Sequence, residues 1–168
     1  MVNKYGCLML YFVNDKMKEI QSKIDKEDVY EEEGHGLTPE GESHVTICYG
    51  FDPNEKASDI LNSFKDFKFT DIKLGKITKF SNDKFDVLKY DIESPKLTEA
   101  NKLCMKNFEI TTDYPNYHAH STIAYLKPNT ADKYIEMFKN EKQMIVEPKK
   151  LSYSYPNETL VEKILKKI

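Results

Sequence analysis

Arginine is missing from this chain: all 25 of its basic side chains are lysine. The rigid bidentate fork that arginine offers to phosphate is therefore excluded. Any phosphate clamp must use lysine, histidine, hydroxyls or backbone amides. Cysteine is scarce. Cys7, Cys48 and Cys104 are odd in number, far apart and set in apolar stretches. That fits buried free thiols in a reducing compartment, not a disulfide framework, and no pair has zinc-site spacing. Long apolar runs are lacking too. None approaches a membrane span, and residues 1–13 lack the apolar core and basic flank of a signal peptide. The expected location is cytoplasmic, away from membranes. Excess charge of either sign is also lacking. The net charge of -3 argues against a protein that coats long duplex nucleic acid.

What is present is enough for one folded domain or two small fused lobes. "YGCLMLYFV" (5–13) reads as a buried strand, and "NDKMKEIQSKI" as a helix capped by Asn14 or Asp15. Residues 25–42 are acidic and rich in glycine and proline, so they read as a long loop ending just before His44. "HVTICYG" is a strand and "NEKASDILNSF" a helix. "FKFTDIKLGKITKF" and "FDVLKYDI" read as a hairpin around "SNDK". Pro95 opens a helix over 97–108. A polar loop then feeds the strand "HSTIAYL", and "KPNTADKYIEMFKN" is a turn and a short helix. Pro148 is expected to break "MIVEPKKLSYSYPN". The periodicity of "ETLVEKILKKI" does not choose between strand and helix. The whole reads as α+β with an internal pseudo-repeat, its sheet-plus-helix halves near 1–92 and 93–168.

The repeated feature is chemical. "SHVTICYG" (43–50) and "HSTIAYL" (120–126) each hold His-x-Thr-Ile-x-Tyr. Residues i and i+2 of a strand share a face. His44 therefore projects with Thr46, and His120 with Thr122. Two such strands would bring two imidazoles and two hydroxyls to one cleft. This set suits phosphodiester cleavage without a metal or cofactor. One imidazole removes a proton from the nucleophile and the other protonates the leaving oxygen. The threonine hydroxyls donate to the non-bridging oxygens. A zinc site built from His44, His118, His120 and Asp113 is the alternative, but there is no His-Glu-x-x-His helix to support it.

On "HVTI" (44–47) and "HSTI" (120–123) the chain resembles the 2H phosphoesterase superfamily. The resemblance implies a bilobal fold whose cleft both motifs cross, with His44 and His120 as the acid–base pair. "GLTPEGESHVTICYG" and "YHAHSTIAYLKPNTADKY" look like phage-encoded members. Among those are the anti-CBASS nucleases, which destroy cyclic oligonucleotide signals of bacterial antiphage defence. The resemblance thus implies a monomeric phosphodiesterase acting on small cyclic or short oligonucleotides, in the host cytoplasm if phage-encoded. The alternatives are a 2',3'-cyclic phosphodiesterase or 2'-5' RNA ligase-like enzyme acting on RNA ends, and a nucleotide-binding protein without turnover. It also implies that an aromatic from the first strand and one from the late segment hold bases. Tyr11, Phe12, Tyr153 and Tyr155 are the candidates. Ser121 stands where many relatives have valine.

Other residues complete the expectation. His118 shares the parity of His120, and Lys127 just past the motif could reach a phosphate. His35, between Gly34 and Gly36, suits a lid. Simple alternation puts Tyr49 and Tyr125 off the His-x-Thr face.

Overall fold

The structure is a computed structural model that describes residues 3–112 and 116–165. Seven strands and four α-helices alternate along the described chain. They are β1 (Gly6–Val13), α1 (Met17–Ser22), β2 (His44–Phe51), α2 (Ala57–Asn62), β3 (Ile72–Ser81), β4 (Asp86–Glu93), α3 (Pro95–Asn107), β5 (His120–Leu126), α4 (Ala131–Met137), β6 (Met144–Ser154) and β7 (Leu160–Ile164). The fold is α+β with all strand pairs antiparallel. Among the described residues no helix is long and apolar enough to cross a membrane.

The sheet order β2-β1-β6-β3-β4-β5 is a palindrome of roles. Read in chain order, strand–helix–motif strand–helix–strand occurs twice: β1-α1-β2-α2-β3, then β4-α3-β5-α4-β6. Each unit gives its third strand to the other. β3 pairs with β4, and β6 with β1. The join between the two units is the turn 82–85. A division near residue 92 falls inside β4, so it would cut a strand from its own unit.

β6 holds both lobes together. Its Met144–Val146 segment pairs with β3, and its Glu147–Ser154 segment with β1. Pro148, expected to break this stretch, stays within the strand. The ladder tolerates it because the register shifts at that point, where Phe12 meets Pro148. β7 resolves the ambiguous C-terminal segment as a strand on β6.

The core lies on one face of the strands β1 to β6. Leu8, Leu10, Val45, Ile47, Leu88, Ile123, Leu126 and Leu151 are fully buried, and Ile20, Ile60 and Leu97 from the helices cover them. Burial of each such side chain is worth about 1.5–3 kcal/mol. α3 starts where the sequence says it should. Ser94 accepts a hydrogen bond from the Leu97 N–H, and Pro95 occupies the first turn.

The outer edges of the sheet are closed by exchange. The segment ahead of motif one covers the free edge of β5 through Val29 against Leu126 and Leu37 against Ala124. The segment ahead of motif two covers β2 through Ile110 against Phe51. There the Thr111 N–H donates to the Gly50 carbonyl at 2.8 Å. Gly50 has φ +116, and a Cβ on it would meet the Thr111 carbonyl oxygen at 2.1 Å. No other residue fits this crossing.

Candidate active site

β2 and β5, the two outer strands of the six-strand path, come into contact with each other. This brings both motifs to the centre of the molecule. The Tyr117 hydroxyl, just ahead of motif two, donates to the Thr46 carbonyl at 2.7 Å. The bent sheet thus presents one face of each motif strand inward.

Both histidines are held in the same way. His44 Nδ1 lies 2.9 Å from the Glu42 carbonyl, and His120 Nδ1 lies 3.1 Å from the His118 carbonyl. A carbonyl only accepts, so Nδ1 carries the proton in each neutral ring. Nε2 is left as the atom that takes up or releases a proton. The same carbonyl, two residues back, fixes the tautomer in both motifs.

The residue after each motif threonine is a β-bulge. Met9 opposes Thr46 while Leu8 opposes Cys48, so Ile47 is extra. Lys89 opposes Thr122 while Leu88 opposes Ala124, so Ile123 is extra. A bulge takes a carbonyl out of the ladder, and such a group needs another partner. The opposite unit supplies it. The Asn101 amide of α3 donates to the Ile47 carbonyl at 2.9 Å, and the Gln21 amide of α1 donates to the Ile123 carbonyl at 3.1 Å.

The bulges also change parity, which simple alternation cannot foresee. Tyr49 opposes Cys7, and Tyr125 opposes Val87. Directly opposed residues share a face. Both tyrosines therefore return to the His-x-Thr face, against the expectation from sequence. Tyr125 packs on His35 with ring centres 4.5 Å apart, and His35 also meets Tyr30 and Phe85. The loop around His35 is tied to β5. The Tyr125 N–H donates to the Gly36 carbonyl, and the Thr38 N–H to the Ile123 carbonyl. This pinned loop is not built as a free lid.

The four stacking candidates separate by face. Tyr11 is half-buried beside His44, ring centres 5.1 Å apart. Phe12 and Tyr153 are core residues, 2% and 0% exposed, on the opposite face. Their burial removes them from any ligand. Tyr155 lies beyond β6 and its hydroxyl accepts from the Ala57 N–H at 2.8 Å, which ties it to α2. The His118 side chain is exposed and borders a hollow of about 280 Å³ with Asp91, Ser94 and Thr98. Lys127 follows the far end of β5. Seven strand residues at about 3.3 Å each put it roughly 20 Å from His120, out of reach of a phosphate held there. Asp113 lies outside the described residues, and the described ones form no cluster of three or more His, Cys, Asp or Glu placed to hold a metal ion.

Four further residues on this face were not legible in the motifs. Asp91 stands directly across from His120, and Lys89 across from Thr122. Phe80 turns its face to the edge of the His120 ring or the reverse, with centres 5.0 Å apart at 87°. Lys150 Nζ lies 5.0 Å from the Tyr11 ring centre and is paired with Glu162 at 2.6 Å. A lysine inside the apolar alternation of "FDVLKYDI" is the one available signal for Lys89.

Charge and burial tune the site. Burial holds the His120 imidazole below its ordinary pKa, with the Lys89 and His44 charges acting the same way. The His118 carbonyl and Asp91 oppose them. His44 is thus close enough for its charge to be felt at His120. Cys7, on the same face and hydrogen-bonded to the Thr46 hydroxyl, is pushed up to about 12 by burial, so it is a thiol and not a nucleophile.

Ser121 points the other way, into the core, at 1% exposure. Its hydroxyl has no hydrogen-bond partner among the described residues, while Val45 fills the matching place in motif one. Ser121→Val should therefore raise stability by about 1 kcal/mol, the lower end of the cost of an unpaired buried polar group. Denaturant midpoints of the two proteins measure this. A lower midpoint for the valine protein would show that the pocket cannot take the extra methyl.

No protein-family model matches the chain, and no curated protein does. Solved structures do. The chain is similar to Usb1 of Kluyveromyces marxianus, at a TM-score of 0.63 and 12% identity, over 98% of this chain and 99% of that one. The same protein with uridine monophosphate matches at 0.63 and 12%, over 96% and 99%. A phosphoesterase matches at 0.50 and 9%, over 96% of both chains. At these identities the likeness is one of fold, and it spans nearly the whole of each chain.

Proposed function

We propose that this protein is a metal-independent phosphodiesterase of the two-histidine type, acting on short nucleotide substrates. The observation that carries the reading is the matched pair of imidazoles. Each has Nδ1 fixed on a carbonyl and Nε2 left to exchange a proton, with a threonine two residues on along the same face. One imidazole takes the proton of the attacking oxygen as the other gives one to the leaving oxygen. In an RNA-like substrate the 2'-hydroxyl attacks and a cyclic phosphate forms. With a cyclic phosphate as substrate, water attacks and opens it. Thr46 and Thr122 donate to the non-bridging oxygens as negative charge gathers there. Tyr11 offers a ring beside His44 on which a base can stack.

The fold shared with a protein solved with uridine monophosphate supports a small nucleotide as ligand, and RNA ends or 2',3'-cyclic phosphates are the first reading of the substrate. Cyclic oligonucleotides are the second reading and rest on the wording of the two motifs. A panel separates them: 2',3'-cyclic mononucleotides, oligouridylate and oligoadenylate with 2'-5' or 3'-5' linkage, and cyclic di- and trinucleotides, each with excess EDTA and products identified by mass. Cleavage of at least one class in EDTA is expected. Activity that vanishes in EDTA and returns with zinc or manganese would overturn the metal-free chemistry. Binding with no product from any class would make the protein a nucleotide-sequestering one.

A further inference from the structure

The two motif strands match, but their neighbours do not. Across from His44 and Thr46 stand Tyr11 and Met9, both uncharged at neutral pH. Across from His120 and Thr122 stand Asp91 and Lys89. Lys89 is the one basic side chain in the buried class among the described residues, at 5% exposure. Its ammonium donates to the Asp91 carboxylate at 2.6 Å and to the Thr78 hydroxyl at 2.6 Å. It also lies 4.3 Å from the centre of the Phe80 ring, the ring that meets His120.

Burying an ammonium is costly unless partners offset the lost hydration. A hydrophobic residue would serve a purely structural place in β4 at less cost. The partners here also hold the charge still. Two hydrogen bonds and a ring face use its three donor directions, so it cannot swing away. Opposed strand residues have Cβ atoms about 4.5–5.5 Å apart. The charge is therefore fixed beside Thr122 and diagonal to His120.

We infer that the Lys89–Asp91 pair is a positioning element of the site, supplying on the strand directly across from the second motif the fixed, opposed charges that the strand across from the first motif lacks. The inference rests on the two-histidine reading for its purpose but not for its test. Lys89 disfavours a proton on His120 and attracts an anionic phosphoryl group. Asp91 does the reverse and keeps the ammonium in place. The pair thus makes two imidazoles of identical tautomer unequal, which a reaction needing one acid and one base requires. The charged or titratable groups acting on His120 are Lys89 and Asp91 of β4 and His44 of β2, together with the His118 carbonyl ahead of its own strand.

The experiment is an NMR pH titration of the imidazole carbons in wild type, Lys89→Met and Asp91→Asn. Lys89→Met should move the His120 midpoint up. Asp91→Asn should move it down, because the ammonium is left without its counter-charge. Mere loosening of the packing would expose His120 in both variants and move both midpoints up. Two upward shifts, or none, would overturn the inference. Should Lys89→Met fail to fold, Asp91→Asn alone decides, since only the electrostatic role lowers the midpoint. Opposite shifts in a protein that cleaves nothing on the panel would leave the charge pair standing and remove the phosphodiesterase reading.

Discussion

Replacing His44 or His120 with alanine should leave a folded protein whose single-turnover cleavage has fallen by at least about 10²-fold, and by up to about 10⁴-fold. The fold should survive because neither imidazole belongs to the core. Each is half-buried, and its one hydrogen bond goes to a carbonyl two residues away, worth about 1 kcal/mol. The strands are held instead by Val45, Ile47 and Ile123, all fully buried. The His120 variant should also change how stability depends on pH. His120 sits below its ordinary pKa when folded, so the folded protein binds its proton less readily than the unfolded chain does. Its neutral form contributes stability that is present above the ordinary imidazole range and lost as pH falls from there through the lowered folded value. Wild type should therefore lose stability relative to His120→Ala on acidification. The double variant should lose less than the product of the single losses, since paired groups act as a unit. The measurements are single-turnover rates and melts across pH for all three variants. A folded single variant with a near wild-type rate would refute the two-histidine chemistry.

Much of this site was legible in the sequence because strand alternation and a repeated motif are local signals. Parity alone puts His44 with Thr46 and His120 with Thr122, and both pairs do share a face. The proline that opens α3 was legible for the same reason. What alternation could not give were the events that break it. The bulges at Ile47 and Ile123 depend on amides from α3 and α1, some 54 and 102 residues away in the chain. Nothing near either isoleucine announces them, so the faces of Tyr49 and Tyr125 came out reversed. Phe12 and Tyr153 show the other limit. An aromatic on a strand next to the right face looks the same in sequence as one on it, and only packing decides between core and cleft. Lys89 and Asp91 belong to a third kind. They matter through cross-strand register, and that is fixed by pairing β4 with β5, which no motif spells out.

The threonines should matter less than the histidines, and unequally with respect to their surroundings. Thr46→Val and Thr122→Val keep side-chain shape while removing the hydroxyl. If each hydroxyl donates to a phosphoryl oxygen in the transition state, its loss costs up to about 2.7–4 kcal/mol, the value of one oxyanion donor in another enzyme. That corresponds to a rate loss on the order of 10²–10³-fold, and water entering the gap would reduce it. Such a loss should lower kcat and kcat/KM together, because the interaction strengthens only as charge develops. Thr122 faces Lys89, so its variant retains a nearby positive charge for the phosphoryl group. Thr46 faces Met9 and is hydrogen-bonded to the Cys7 thiol, so its variant has no charged neighbour on β1 and leaves the thiol without that partner. Thr46→Val should therefore be the more damaging of the two. Thr46→Ser and Thr122→Ser, which keep the hydroxyl, should restore most of the rate. Steady-state kinetics of the four variants on the substrate identified by the panel provide the measurement. Unchanged kcat in both valine variants would make the threonines structural residues of their strands, and a larger loss at Thr122 would reverse the asymmetry argued from their neighbours.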